Sequence, residues 1–239
     1  MPNVESLLTP GRITAVLFDL DGTLIDSLPD LAAAVNRLLA AEGRPPLPDD
    51  AVKVMVGDGA GTLVERAFAA RGGLPGPEVS PFLARFLADY EPRAAELTRP
   101  WPGVVETLET LKSLGLKLAV CTNKPSRATA EVLAALGLAG YFDVVVGGDD
   151  APALKPDPVH VLVTLERLGV SAGQAAMIGD SLNDVLAAQA AGVPAVVVSF
   201  GYCRGPAVEL GAEVVIDDFR DLPGALASLG GREESTAAK

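Results

Sequence analysis

The sequence predicts an α/β protein: a doubly wound, Rossmann-like parallel sheet with an α-helical cap domain inserted after the first strand. Three observations predict it. Residues 13–18, ITAVLF, form a nearly unbroken apolar run, as expected of a strand covered on both faces. Residues 27–98 show helical spacings only. From residue 104 onward helical and strand patterns alternate, which predicts βα units and a parallel sheet. The division that follows is a core of residues 1–26 and 99–239 and a helical cap of residues 27–98.

The first strand stops in Asp19-Leu20-Asp21, with Gly22 and Thr23 behind it. Alternation along an extended chain sends Asp19 and Asp21 the same way. Like charges that close cost stability unless a cation or a shared proton compensates. The bland alternative is two solvated acids, with Asp-Gly making the turn. Leu31, Ala34, Val35, Leu38 and Leu39 then share one helix face. GRPPLPDD at 43–50 breaks the chain, Val52, Met55 and Val56 resume helical spacing, and GDGAG at 57–61 interrupts again. Thr62 with Glu65 has the form of a capping box, and Ser80 reads as an N-cap with Pro81 at the first helical position. TRPWPG at 98–103 closes the insertion.

Beyond it Val104, Leu108 and Leu111 mark a helix, residues 116–124 a strand, and Ser126 to Leu136 another helix. FDVVVGGDD at 142–150 and AAMIGDS at 175–181 read as strands, with a helix carrying Val159, Leu162 and Leu165 between them. PAVVVSF and EVVID supply two further short strands, and the tail GGREESTAAK is expected to fray.

Hydrophobic residues make up 49% of the 239, enough to fill a core. No apolar run approaches the ~20 residues of a membrane span. The start, MPNVESLLTPGR, lacks the basic and long apolar segments of a signal peptide. Cys121 and Cys203 alone define no disulfide framework, so a cytoplasmic protein is expected. A net charge of −12 argues against nucleic acid or a membrane surface as partner. His160 is the only histidine. That excludes a multi-histidine zinc site and leaves a Ser-His-Asp triad or a phosphohistidine with one ring to use. Following KPDPV in a helical stretch, His160 is expected to be partly exposed. Chemistry here falls to carboxylates, lysine and hydroxyls.

Open parallel sheets bind ligands beyond the carboxyl ends of their strands. The first strand ends in Asp19 and Asp21, the second in Thr122 and Asn123. The third is followed after a loop by Lys155, and the fourth ends in Asp180 and Ser181 with Asp184 one turn on. Singly, each has a plain reading: a turn pair, a surface lysine, an N-cap with a first-turn acid. Four such groups in order at one rim make coincidence a poor account.

The stretches DLDGTLIDS, CTN, LKPDP and IGDSLND resemble the four motifs of the haloacid dehalogenase-like phosphatases, in that family's order, and the helical insertion resembles its cap. The resemblance implies Mg2+-dependent hydrolysis of a small phosphomonoester through an aspartyl-phosphate. It makes Asp19 the nucleophile and a metal ligand, with Asp180 a second ligand. Asp21 becomes a ligand through its backbone carbonyl and the general acid–base through its side chain. Thr122 and neighbouring backbone N–H groups hold the phosphate with Asn123 nearby, Lys155 neutralises transition-state charge, and Ser181 and Asp184 support the metal site. The chemistry is consistent: an anion attacking an anion needs a cation, and magnesium suits an all-oxygen site.

Three more stretches, MVGDGAGTLVERA, VVVGGDDAPALKPDP and SFGYCRGP, resemble the branch of that family acting on 2-phosphoglycolate. The turn of Gly57, Asp58 and Gly59 offers backbone N–H groups to a substrate carboxylate, or is a plain interhelical turn. Lys53 and Arg66 are cationic helpers there or ordinary surface residues. Other readings stay open: a broader-specificity phosphatase or pyrophosphatase, a sugar-phosphate mutase, or a non-catalytic module that binds phosphorylated ligands. Monomer and homodimer are both open.

Overall fold

The computed structural model describes residues 13–229; the N-terminal stretch and the tail expected to fray lie outside the described residues. Six strands form one sheet: β1 (Ala15–Phe18), β4 (Lys117–Cys121), β5 (Val144–Val146), β6 (Ala175–Gly179), β7 (Ala195–Val198) and β8 (Val214–Ile216). Their order is β5-β4-β1-β6-β7-β8, and every pairing is parallel. The chain works outward from β1 in one direction and then returns beside it to work outward in the other. The crevice where the direction reverses lies at the carboxyl ends of β1, β4 and β6.

The alternation of strand residues decides the layers. Val16, Phe18, Leu118, Val120 and Ile178 face one way, onto α5 (Val104–Ser113) and α9 (Leu222–Leu229). Leu17, Ala119, Cys121, Met177 and Val197 face the other, onto α7 (Pro158–Leu168) and α8 (Leu182–Ala190). All four residues of β1 are fully buried, which is why its sequence shows no polar alternation. α6 (Ser126–Ala135) follows β4 and adds Val132 and Leu133 to the first layer.

Four helices lie between the first strand and the rest: α1 (Leu28–Ala41), α2 (Asp49–Lys53), α3 (Ala60–Ala69) and α4 (Ser80–Tyr90). The chain enters and leaves this insertion through β2 (Ile25–Asp26) and β3 (Arg99–Pro100), which pair antiparallel. Asp30 ties the two ends together. Its buried carboxylate accepts from Leu97 N (3.0 Å), Thr98 N (2.8 Å) and Thr98 Oγ1 (2.7 Å). Three local expectations differ. α2 stops at Lys53, so Met55 and Val56 lie in the turn that follows. α3 opens at Ala60 behind Gly59, putting Thr62 and Glu65 inside the helix instead of at a capping box. α4 is capped by Val79, with Ser80 already in the helix.

Candidate active site

β1 carries Asp19 to the rim, where its backbone N–H donates to Ile178 O of β6 (2.9 Å) and holds it level with that strand's end. The turn behind it depends on Gly22, whose φ of +90° favours glycine. A Cβ at Gly22 would collide with the Asp180 carboxylate, so this turn and the end of β6 can approach only through glycine. Asp180 is in turn fixed by Tyr202 N (2.5 Å) and Thr23 Oγ1 (3.4 Å).

Asp184 makes the capping contact of its plain sequence reading and also pairs with Lys155. One oxygen accepts from Ser181 N (3.0 Å) and Ser181 Oγ (2.6 Å), making the capping box that starts α8. Its other oxygen accepts from Lys155 Nζ (2.6 Å). Lys155 also donates to Asp19 Oδ1 (3.0 Å) and Cys121 O (2.6 Å) and is itself buried. Asp19, Asp180 and Asp184 each offer an oxygen within 4.8 Å of the others.

The electrostatics of this cluster are lopsided. Burial, against the pull of Lys155, raises the Asp19 carboxyl to about 6. Burial and the neighbouring Asp19 raise Asp180 well above the usual carboxylate range. Burial would drive Lys155 down, but Asp184 and Asp19 more than offset it and keep the ammonium charged. Lys155 thus pairs with Asp19 and Asp184, and Asp180, the third carboxylate of the group, is held by Tyr202 N and Thr23 instead. The donors are all oxygen and the negative charge exceeds the positive, which fits a hard divalent cation.

Thr122, Asn123 and Lys124 follow β4 directly. The Thr122 hydroxyl accepts from Lys124 N (3.3 Å). Asn123 is a tie between loops: Nδ2 donates to Gly57 O and Lys155 O (both 2.9 Å), and Oδ1 accepts from Lys155 N (2.8 Å). Asp21 stands outside the three-carboxylate group and pairs with Lys124, each carboxylate oxygen 3.0 Å from Nζ.

The insertion covers this rim. A cleft runs between them, lined by Asp19, Asp21, Thr122 and Lys124 on one side and by Gly57, Gly59 and Tyr90 on the other. The carboxylate of Asp58 is committed elsewhere. It accepts from Arg66, from Arg204 Nη2 (2.6 Å) and from Asn183 Nδ2 (2.5 Å). Partial burial opposes ionisation there, yet Arg204, Asn183 and Arg66 together hold Asp58 below its usual range. Arg66 also donates to Met55 O (3.0 Å), and Lys53 Nζ lies 5.8 Å from the Tyr202 ring centre. His160 departs from expectation: it is fully buried in α7 because its helix face turns to the sheet.

Sequence reasoning missed five side chains around the cleft and its closure: Tyr90, Lys124, Asn183, Tyr202 and Arg204. Asn183 stands inside IGDSLND and Lys124 directly follows CTN, while Tyr202 and Arg204 lie within SFGYCRGP. Tyr90 lies in an ordinary helix with no local signal.

Carboxylates with separate partners, a buried lysine and a hydroxyl at the carboxyl edge of a parallel sheet make an α/β enzyme site suited to phosphate esters. A family model for haloacid dehalogenase-like hydrolases matches residues 13–192. The chain is 49% identical over 215 residues to a phosphoglycolate phosphatase of Caulobacter vibrioides, covering 90% of this chain and 91% of that one. It is also 49% identical over 213 residues to the protein of that name from Rhodospirillum rubrum, covering 87% and 88%. Among solved structures, a predicted phosphoglycolate phosphatase from Haemophilus somnus superposes with a TM-score of 0.85 at 34% identity, over 89% of this chain and 97% of that one. The chain belongs to the haloacid dehalogenase-like hydrolase family.

Proposed function

We propose that this enzyme hydrolyses 2-phosphoglycolate to glycolate and phosphate with magnesium as cofactor. The supporting observation is the separation of the two rim acids: Asp19 shares Lys155 with the carboxylate group, whereas Asp21 stands apart with Lys124. Asp19 is the nucleophile. Its oxygen bonds to phosphorus as the bond to the glycolate oxygen breaks, and Asp21 gives that oxygen a proton. Asp21 then takes a proton from the water that cleaves the aspartyl-phosphate, restoring both acids. Lys155 offsets charge on the transferring group, and Thr122 with the adjacent backbone N–H groups holds its oxygens. Asn123 keeps the Gly57 turn and the Lys155 loop in register above it. The carboxylates of Asp19 and Asp180 and the backbone carbonyl of Asp21 would hold magnesium, with Ser181 and Asp184 supporting it. When bound, the ion supplies charge neutralisation between attacking carboxylate and phosphate. The free thiols of Cys121 and Cys203 support a cytoplasmic location.

The test compares Asp19→Asn with Asp21→Asn. The first is expected to lose turnover and phosphoenzyme. The second is expected to lose about 10²-fold or more with 2-phosphoglycolate, whose alkoxide needs the proton. With p-nitrophenyl phosphate and Mg2+ it should still give a stoichiometric burst, since that leaving group needs little protonation. Normal turnover by Asp19→Asn overturns the covalent mechanism. Faster hydrolysis of a hexose phosphate than of 2-phosphoglycolate by the unaltered enzyme overturns the substrate.

A further inference from the structure

Away from the rim the walls of the cleft are mostly apolar: Leu31, Leu63, Phe86 and Leu87. A carboxylate entering such a space needs a cation or several donors. Among the described residues that line it, Lys124 is the one cationic side chain. It is 5% exposed and donates to both oxygens of Asp21 at 3.0 Å and to the Tyr90 hydroxyl at 2.6 Å. Tyr90 comes from the end of α4 in the insertion, so this contact crosses from cap to core. Its ring is held by Phe86, stacked at 5.5 Å and 11°. No acceptor for the Tyr90 O–H is present among the described residues, which leaves that proton available to a ligand in the cleft.

We propose that Lys124 is the substrate-carboxylate recognition residue, with Tyr90 as a positioning residue that brings it into play when the insertion covers the cleft. The assignment rests on the 2-phosphoglycolate reading above. Distance makes Lys124 suitable. Asp21 must reach the leaving oxygen at hydrogen-bond range, about 2.7 Å. In 2-phosphoglycolate one methylene separates that oxygen from the carboxylate carbon, so the carboxylate lies close to Asp21. Lys124 Nζ is 3.0 Å from each Asp21 oxygen and lines the same cleft, within reach of a carboxylate so placed. Here Asp21 satisfies Lys124. A bound carboxylate takes over part of that role and leaves Asp21 freer to serve the leaving oxygen.

The experiment compares 2-phosphoglycolate with ethyl phosphate, which has the same chain length and no carboxylate, in wild type, Lys124→Met, Lys124→Arg and Tyr90→Phe. Charge-assisted hydrogen bonds of this kind correspond to roughly 10- to 100-fold in kcat/KM. Lys124→Met should lower the preference for 2-phosphoglycolate over ethyl phosphate by that factor and weaken inhibition by glycolate in parallel. Lys124→Arg should keep most of the preference. Tyr90→Phe should lower it by about threefold, chiefly through KM, for one hydrogen bond to a neighbour. If Lys124→Met loses both substrates equally, Lys124 serves Asp21 alone and the assignment is wrong. Should that variant fail to fold, Lys124→Gln, which keeps a donor toward Asp21 and Tyr90 but carries no charge, takes its place, and an unchanged preference with unchanged glycolate inhibition in that variant overturns the assignment. A wild type without preference for 2-phosphoglycolate overturns the substrate reading and this assignment with it. A wild type with that preference and an unselective role for Lys124 overturns this assignment alone.

Discussion

His160 sits on the inner side of α7 with both ring nitrogens buried and without a hydrogen-bond partner among the described residues. Burial, reinforced by nearby Lys155, lowers its pKa from 6.5 to about 4. The unfolded chain therefore takes up a proton on this ring near pH 6.5, and the folded protein does so only near 4. Between those values the unfolded state binds more protons, so stability falls as pH is lowered through the window. The contribution is fully present above the upper value. At pH 4.5 the loss from this one ring comes to about 2–3 kcal/mol. His160→Leu should lose less stability than wild type between pH 7 and pH 4.5 in urea titrations, by about that amount. An equal loss in both proteins would show that His160 is not buried neutral.

At the scale of the element, the turn between α2 and α3 does the most for its length. Its backbone reaches the core through Gly57 O and Asn123, and its end starts α3 beside the cleft. Gly59 has φ +88°, and a Cβ there would lie 3.1 Å from Leu154 Cδ1, so alanine meets both strain and a neighbour. Gly59→Ala should cost about 1–2 kcal/mol of stability. It should also raise KM for 2-phosphoglycolate more than for p-nitrophenyl phosphate, because the displaced wall faces the carboxylate end. Steady-state kinetics with the two substrates decide this. An equal rise in both would assign the turn to the folding of the insertion alone.

Across the whole molecule, the insertion and core are joined away from the chain crossings by a few polar contacts. Arg204 donates to Val56 O (3.0 Å) and Asp58 (2.6 Å), and Asn183 to Asp58 (2.5 Å). A second cleft opens beside them, lined by Asp180, Ser181 and Tyr202. These contacts hold the closed arrangement in which Tyr90 meets Lys124, yet they leave Arg204 largely exposed. Exposed pairs are worth roughly 0.2–1 kcal/mol. Arg204→Ala should therefore lower kcat/KM by about two- to fivefold, and equally for 2-phosphoglycolate and p-nitrophenyl phosphate, since closure precedes chemistry with either. A selective loss with 2-phosphoglycolate would make Arg204 a second contact for the carboxylate.

The alternating sheet and the acids at its rim were legible along the chain because both are local signals. Apolar runs of strand length stop in polar residues, and a strand end in a parallel sheet has one place to go. Asp19, Asp21, Thr122, Lys155 and Asp180 could be named from those ends alone. The pairing of Lys124 with Asp21 and Tyr90 could not, since those partners lie 103 and 34 residues from it in sequence and meet only when the insertion folds over the sheet. The same holds for Asp58, whose partners Arg204 and Asn183 lie 146 and 125 residues away. His160 was misjudged for a related reason. The period of a helix shows which residues share a face, but the packing of α7 on the sheet decided that this face is dry. Local pattern fixes the elements and their ends; which charges meet across the cleft depends on how distant elements pack, and packing is a property of the folded chain.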